Sequence, residues 1–163
     1  MKKLITVLLA AMLFIASSAY AAGTLEDANK AYASKNYAEA ISRYKALAIK
    51  GDAKGQYYYG YMHKMGQGTI QDYAEAVKWY KLAAEQGDAF AQFSLGQMYR
   101  DGYGINKDLE KAHMWYNLSA NKAAYNEGTA MIRDALAKEM TQQQIAEAQK
   151  LARECLDRKF KSC

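Results

Sequence analysis

The chain has 163 residues, a formal net charge of +5 at neutral pH, two cysteines and no proline. A surplus this small, spread along the chain rather than gathered in blocks, argues against a nucleic-acid partner and against a basic membrane-binding patch. The lack of proline favours continuous helices, because proline removes a backbone donor and breaks a helix interior.

The first 21 residues have the three parts of a secretory signal peptide. Lys2 and Lys3 precede an apolar run, residues 4–16, and Ala19-Tyr20-Ala21 supplies an A-x-A cleavage pattern. The run is too short to span a bilayer, and no cysteine follows it for lipid attachment. We therefore predict cleavage after Ala21 and export to the periplasm or beyond, not as a lipoprotein and without later membrane insertion. A buried N-terminal helix is the alternative.

A first helix is predicted from Leu25 to Ser34, followed by a tight connection at Lys35-Asn36 and a second helix. This short unit, residues 24–50, precedes two longer ones. Residues 51–86 and 87–122 align without a gap, and fourteen positions are identical. A period of this length is typical of stacked repeats. The recurring pairs that we assign to packing of the stack are Gly60 and Gly96, Gly66 and Gly102, Gly68 and Gly104, Ala76 and Ala112, Trp79 and Trp115, and Tyr80 and Tyr116.

Each long unit is predicted to contain two helices joined by its glycines. Asp52 is a natural cap for the first helix, and Asp72 with Glu75 resembles a capping box for the second. Gly60 lies inside the first helix, where glycine costs about 1 kcal/mol relative to alanine. We expect it to make room for a bulky neighbour, Trp79 in this unit and Trp115 in the next.

The repeat pattern decays after residue 122. Met131, Ile132 and Leu136 form one predicted helical face. Thr141 with Gln144 then opens a last helix, which is mostly polar. A terminal helix with a polar outer face is typical of the cap that closes a repeat stack.

The phrases "GDAxxQxxxGxM", "GxGxxxD" and "AxxWYxLxA" resemble Sel-one-like repeats, the longer-looped relatives of tetratricopeptide repeats. The resemblance covers residues 24–125 and is strongest over residues 51–122. The first unit lacks the G-x-G loop and has Arg43 in place of the tryptophan. The resemblance implies an all-α, right-handed solenoid of about three helix pairs plus a C-terminal cap, residues 126–163. It also implies first helices that line a concave surface, and an adaptor role without a cofactor.

A candidate partner-binding stripe lies where the two long units differ. Tyr58, Tyr61 and Met65 share one face of a helix, and their counterparts are Ser94, Gln97 and Asp101. Tyrosine and methionine supply contact area at recognition surfaces. We therefore predict that a monomeric protein holds a polypeptide on this stripe. The alternative is that the stripe packs on the first unit.

Three other functions have weaker support. His63 and His113 have no second metal ligand at a suitable spacing, so we interpret both as packing residues without a metal-binding role. S-x-x-K begins at Ser42 and Ser119, but S-D-N and K-T-G are absent, which disfavours a β-lactam-binding or hydrolysing enzyme. A periplasmic immunity-type inhibitor of an exported toxin remains the main alternative to an adaptor.

Cys155 and Cys163 are predicted to form a disulfide after export. Bonded cysteines need Cα atoms within about 7 Å, whereas eight residues of helix hold them about 12 Å apart. The last helix is therefore expected to end near Arg158, with the tail turning back. Intermolecular pairing or free thiols are the alternatives.

Overall fold

The computed structural model describes residues 23–121 and 126–163. The predicted signal peptide lies outside these residues. The described residues form eight α-helices and no strand, which confirms the predicted all-α solenoid. None of these helices is long and apolar enough to cross a membrane. In chain order they are α1 (Leu25–Ala33), α2 (Tyr37–Ile49), α3 (Ala53–Met65), α4 (Tyr73–Ala84), α5 (Ala89–Asp101), α6 (Leu109–Ala120), α7 (Asn126–Ala137) and α8 (Gln142–Asp157).

Side-chain caps set most of the helix starts. An Asn or Asp oxygen accepts from the backbone N–H three residues on, at Asn36, Asp52, Asp72, Asp88 and Asp108. Thr24 and Thr141 complete full capping boxes with Asp27 and Gln144. Each cap satisfies a backbone donor that the helix leaves unpaired and contributes about 1 kcal/mol.

The glycine loops lock each long unit onto the unit before it. Gly66 and Gly102 end α3 and α5 in the left-handed region, with φ of 66° and 75°. Gly68 then lies against the backbone of Tyr37 at the start of α2, and Gly104 lies against Tyr73 at the start of α4. A side chain at either glycine would collide with that backbone.

The repeated glutamine supplies a second tie between units. Gln56 Nε2 donates to Ala48 O at 3.3 Å, and Gln92 Nε2 donates to Ala84 O at the same distance. Both side chains are buried, and each reaches the last turn of the preceding helix. Each glutamine therefore adds a side-chain donor to a helix-end carbonyl that also accepts from a backbone N–H, that of Gly51 in one unit and that of Gly87 in the next.

The repeated alanines lie inside the stack, one on the second helix of each long unit. Ala76 on α4 and Ala112 on α6 are both completely buried. A Cβ on Gly60 would lie 3.1 Å from Ala76 O, so the two helices of that unit approach closely at this level. A buried methyl group offers nothing to a partner. Ala76 and Ala112 are therefore packing residues and not part of a binding surface.

The prediction that Gly60 and Gly96 accommodate tryptophan is wrong. A Cβ on Gly60 would lie 3.1 Å from the ring of Tyr80, and one on Gly96 would lie 2.5 Å from the ring of Tyr116. In the first long unit both rings face α3, but Tyr80 lies against Gly60 whereas the ring of Trp79 lies 5.1 Å from that of Tyr59. The space left by the missing side chain of each glycine, here called the notch, is therefore filled by the tyrosine ring and not by tryptophan.

The C-terminal helices depart from the repeat geometry. Both α7 and α8 pack on α6, and they make no comparable contact with each other. Leu136 is buried on α7 and Ile132 is partly buried, but Met131 points outward, so its predicted place on the packed face is wrong. On α8 the small residues Ala148 and Ala152 lie in the core. The last helix therefore folds back along the stack instead of extending it.

The predicted pairing of Cys155 with Cys163 is present, with Cα atoms 5.4 Å apart. As expected, α8 ends at Asp157 with Arg158 as its cap, and residues 158–163, here called the tail, turn back. Lys159, Phe160 and Ser162 all have positive φ. Left-handed backbone costs a residue with a Cβ roughly 1–2 kcal/mol.

Candidate binding surface

Half-buried aromatic rings form a connected surface across the first helices of all three units. Neighbouring ring centroids lie 5.0–6.4 Å apart, within the range of favourable aromatic pairs. We call this surface the aromatic band; its members are Tyr32 of α1, Tyr57, Tyr58 and Tyr61 of α3, and Phe90 of α5. Because the helices are stacked, rings more than thirty residues apart in sequence become neighbours.

The predicted stripe of Tyr58, Tyr61 and Met65 overlaps this band. Tyr58 stacks on Tyr44 of α2 with centroids 5.0 Å apart, and the ring of Tyr61 meets Tyr32 edge-on at 6.3 Å. Both tyrosines therefore contact the first unit, as the packing alternative expected. Met65 is 47% exposed at the end of α3. Binding of a partner by these three residues stays a prediction.

Tyr57 and Phe90 were not singled out from the sequence. The ring of Tyr57 lies 5.0 Å from Tyr58 and 5.5 Å from Phe90, so it joins α3 to α5. The counterpart of Tyr57 in the next unit, Phe93, is also aromatic. The aromatic residue at both equivalent positions is the signal that the sequence offers, whereas the contact between Tyr57 and Phe90 depends on the stacking of α3 and α5.

Polar side chains border the band on α3 and α5. Lys54 Nζ lies 3.5 Å from Asp88 Oδ2 and 5.1 Å from the centroid of Phe90. Further along, Lys64 Nζ donates to Gln97 Oε1 at 3.2 Å. Burial lowers the pKa of Lys64, because a low-dielectric environment disfavours its charged form. The band thus has an aromatic centre and a rim able to donate hydrogen bonds.

A rigid layer lies beneath the band. Tyr44 is 1% exposed, and its hydroxyl donates to Asn29 Oδ1 at 2.8 Å. Burial raises the pKa of Tyr44 to about 12, so the phenol stays neutral through the physiological range. Tyr80 is also fully buried, with its ring 5.8 Å from Tyr57. These packed rings hold the half-buried ones in place.

His113 and Ser119 take buried packing positions, whereas Ser42 does not. His113 is 3% exposed, and burial lowers its pKa, as expected of a neutral packing residue. Within residues 23–121 and 126–163, no group of three His, Cys, Asp or Glu side chains could hold a metal ion. Ser119 is buried, and its hydroxyl donates to Ala89 O at 2.9 Å. Ser42 is exposed on the surface of α2.

Comparison with protein-family models identifies the repeat family of the two long units. The family model for the Sel1 repeat matches residues 53–88 and 89–123. The chain carries two Sel1 repeats. Sel1-repeat proteins generally act as protein-interaction scaffolds and are typically not enzymes. The aromatic band spans the first helices of both Sel1 repeats and of the short unit before them.

Solved structures share this Sel1-repeat fold. A protective antigen of uropathogenic Escherichia coli strains that displays an SLR fold is 27% identical, with a TM-score of 0.71; the match covers 77% of this chain and 28% of the antigen. A Sel1 repeat protein from Oxalobacter formigenes is 30% identical, with a TM-score of 0.65, covering 71% and 47% of the two chains. This chain therefore spans less than half the length of either relative. Comparison with curated proteins finds no match.

Proposed function

We propose that this protein is an exported adaptor that holds a segment of a partner polypeptide against the aromatic band. The observation that carries the proposal is the band itself, in which half-buried rings from α1, α3 and α5 form one surface beside the exposed Met65. Tyrosine, phenylalanine and methionine are enriched at protein interfaces, where they bury large areas. The scaffold role that is general among Sel1-repeat proteins is consistent with the proposal, and the band is the surface that we propose for it.

The packing of the rings supports binding, because they are held before a partner arrives. Tyr58 rests on Tyr44 and Tyr61 rests on Tyr32, so each ring has lost part of its freedom in the unbound protein. Binding then costs less side-chain entropy than it would on a flexible surface. The rim groups of Lys54 and Gln97 are placed to meet the partner's backbone or polar side chains.

Export is supported by two independent features. Residues 1–21 have the pattern of a signal peptide. The described part of the chain contains a disulfide, a bond that persists in oxidising compartments. The partner is therefore expected among polypeptides of the periplasm or the cell exterior.

The test exchanges two of the three stripe residues for their counterparts one repeat later. Tyr61→Gln with Met65→Asp places the side chains of Gln97 and Asp101 on α3. Tyr58 is left unchanged, since its removal would open a gap over Tyr44. A photo-crosslinking residue at position 65 first identifies the partner in a native envelope fraction. Its affinity for the purified double variant is then expected to fall roughly thirtyfold, which corresponds to about 2 kcal/mol.

Met131→Asp is the matched control, because Met131 is 73% exposed on α7, away from the band. It should leave partner affinity and thermal stability unchanged. If the double variant binds the crosslinked partner as tightly as the parent while melting at the same temperature, the band is not the binding surface.

A further inference from the structure

A groove runs along the outer side of α4, on a part of the molecule distinct from the aromatic band. Val77, Leu82 and Ile105 form its apolar lining, and Lys78 and Lys81 stand along it. The groove has a volume of about 530 Å³. Leu82 is 39% exposed there. At the end of α4 the groove reaches Glu85.

A second cavity of about 200 Å³ begins where the groove ends. Lys81 and Glu85 line both cavities, so the two share a wall. The second cavity is also lined by Trp115 and by Ser162 and Cys163 of the tail. The tail and the indole of Trp115 therefore line the same cavity, next to the groove.

The tail contacts the rest of the protein through a hydrogen bond at the end of α4 and through two partly buried side chains. The backbone N–H of Ser162 donates to Glu85 Oε1 at 3.3 Å. Phe160 and Cys163 are partly buried against the main core. Beneath them Trp115 is only 2% exposed, and its indole N–H has no acceptor among the described residues. A buried donor without a partner is unfavourable. No hydrogen bond from this indole to a described residue therefore helps to hold the tail in its docked position.

The backbone conformation of the docked tail is itself unfavourable. Lys159, Phe160 and Ser162 all have left-handed backbone, which residues with a Cβ avoid. The disulfide joins Cys163 to Cys155, which is fully buried on α8. Because α8 is anchored on α6 by its own apolar face, the covalent bond transmits that anchorage to the tail.

We propose that the tail is a disulfide-held latch beside Trp115, and that its reduction by a dithiol releases the tail and opens the second cavity, which exposes the indole to solvent. A thiolate of the dithiol attacks the sulfur of Cys163, since that of Cys155 is buried. Cys155 leaves as a thiolate, and the second thiol of the dithiol resolves the mixed disulfide. Two electrons and two protons pass to the protein cysteines, and the dithiol becomes a disulfide.

The effect of reduction on how often the tail is released can be estimated from the entropy of closing the disulfide loop. In the chain-entropy model, opening so short a loop shifts the docking equilibrium of the tail roughly 60-fold toward release.

Trp79→Phe leaves Trp115 as the single tryptophan of the chain. Acrylamide quenching of its emission is measured with and without dithiothreitol. We expect the quenching constant to rise severalfold on reduction while the helical circular dichroism signal is kept.

Limited trypsin digestion provides a second readout, because Arg158, Lys159 and Lys161 all lie in the tail. Cleavage there should accelerate on reduction, while cleavage elsewhere should not. The control is Cys155→Ser with Cys163→Ser in the Trp79→Phe background. It should give the open values without reductant and should not respond to dithiothreitol. Equal quenching and equal tail cleavage in both redox states would overturn the latch, as would loss of the helical signal on reduction, which would make the bond a staple of the whole fold.

Discussion

The two Sel1 repeats share the sequence phrase W-Y but place its tryptophan in different surroundings. Trp79 is half-buried, with its indole N–H donating to Glu75 Oε1 at 2.6 Å and its ring 5.1 Å from Tyr59. Trp115 is buried, and its cavity is lined by the tail. The repeat sets the backbone position of a residue, whereas the neighbouring elements decide how far it is buried.

The outer faces of α4 and α6 show the same difference. Lys78 and Leu82 are exposed on α4, and their counterparts on α6, Met114 and Leu118, are buried. The chain that follows α6 includes α8, which packs back on this helix. The third unit is therefore both a repeat and the core of the C-terminal cap, so equivalent substitutions should affect the two repeats unequally.

The largest difference is expected at the tryptophans. Trp115→Ala removes a fully buried side chain and should lower the free energy of unfolding by about 3–5 kcal/mol. Trp79→Ala removes a half-buried one and should cost clearly less, because water already reaches part of the ring. Urea denaturation of both variants measures the difference. Equal losses would mean that the cap adds nothing to the burial of Trp115.

The notch glycines should differ next. A Cβ on Gly96 would lie 2.5 Å from the ring of Tyr116, whereas on Gly60 the closest approach is 3.1 Å, to the ring of Tyr80 and to Ala76 O. Gly96→Ala should therefore destabilise by about 2–3 kcal/mol, and Gly60→Ala by about 1 kcal/mol. Part of each loss is offset by the helix propensity of alanine. Thermal melts of the two variants can be compared directly, and a larger loss at Gly60 would contradict the geometry.

Alkaline pH should loosen both ends of the stack. Burial raises the pKa values of Tyr44 in the first unit and Tyr116 in the third to about 12. In the unfolded chain tyrosine loses its proton near pH 10, so between pH 10 and 12 the unfolded state binds fewer protons. Stability is then complete below pH 10 and falls as pH rises to 12, by about 1–2 kcal/mol for each tyrosine. Urea midpoints at pH 9 and pH 11.5 measure the fall, and Tyr116→Phe should remove part of it.

The smallest difference is expected between the same two tyrosines at neutral pH. Tyr44 Oη donates to Asn29, so Tyr44→Phe should cost about 1 kcal/mol. The hydroxyl of Tyr116 is buried without a partner among the described residues, so Tyr116→Phe should be neutral or slightly stabilising. Differential scanning calorimetry at pH 7 resolves the two. A cost at Tyr116 as large as that at Tyr44 would indicate a bound water or another acceptor.

Local features of the fold were predictable because they depend on residues a few positions apart. The caps at Asp52 and Thr141 act on N–H groups three residues on, and the end of α8 followed from the reach of a disulfide. The 36-residue period itself predicted the stack. None of these inferences needed to know which element lies beside which.

Contacts between distant elements decided which side chains meet and how far each one is buried. The notch at Gly60 accepts Tyr80 rather than Trp79, since the facing of each ring depends on how α4 lies against α3. Tyr57 and Phe90 meet because α3 and α5 are stacked, a contact that no helical periodicity within one element reports. The burial of Trp115 depends on α8 and the tail returning over α6. The sequence determined the helices and their period by itself, whereas the surfaces they present arise from contacts between residues far apart in the chain.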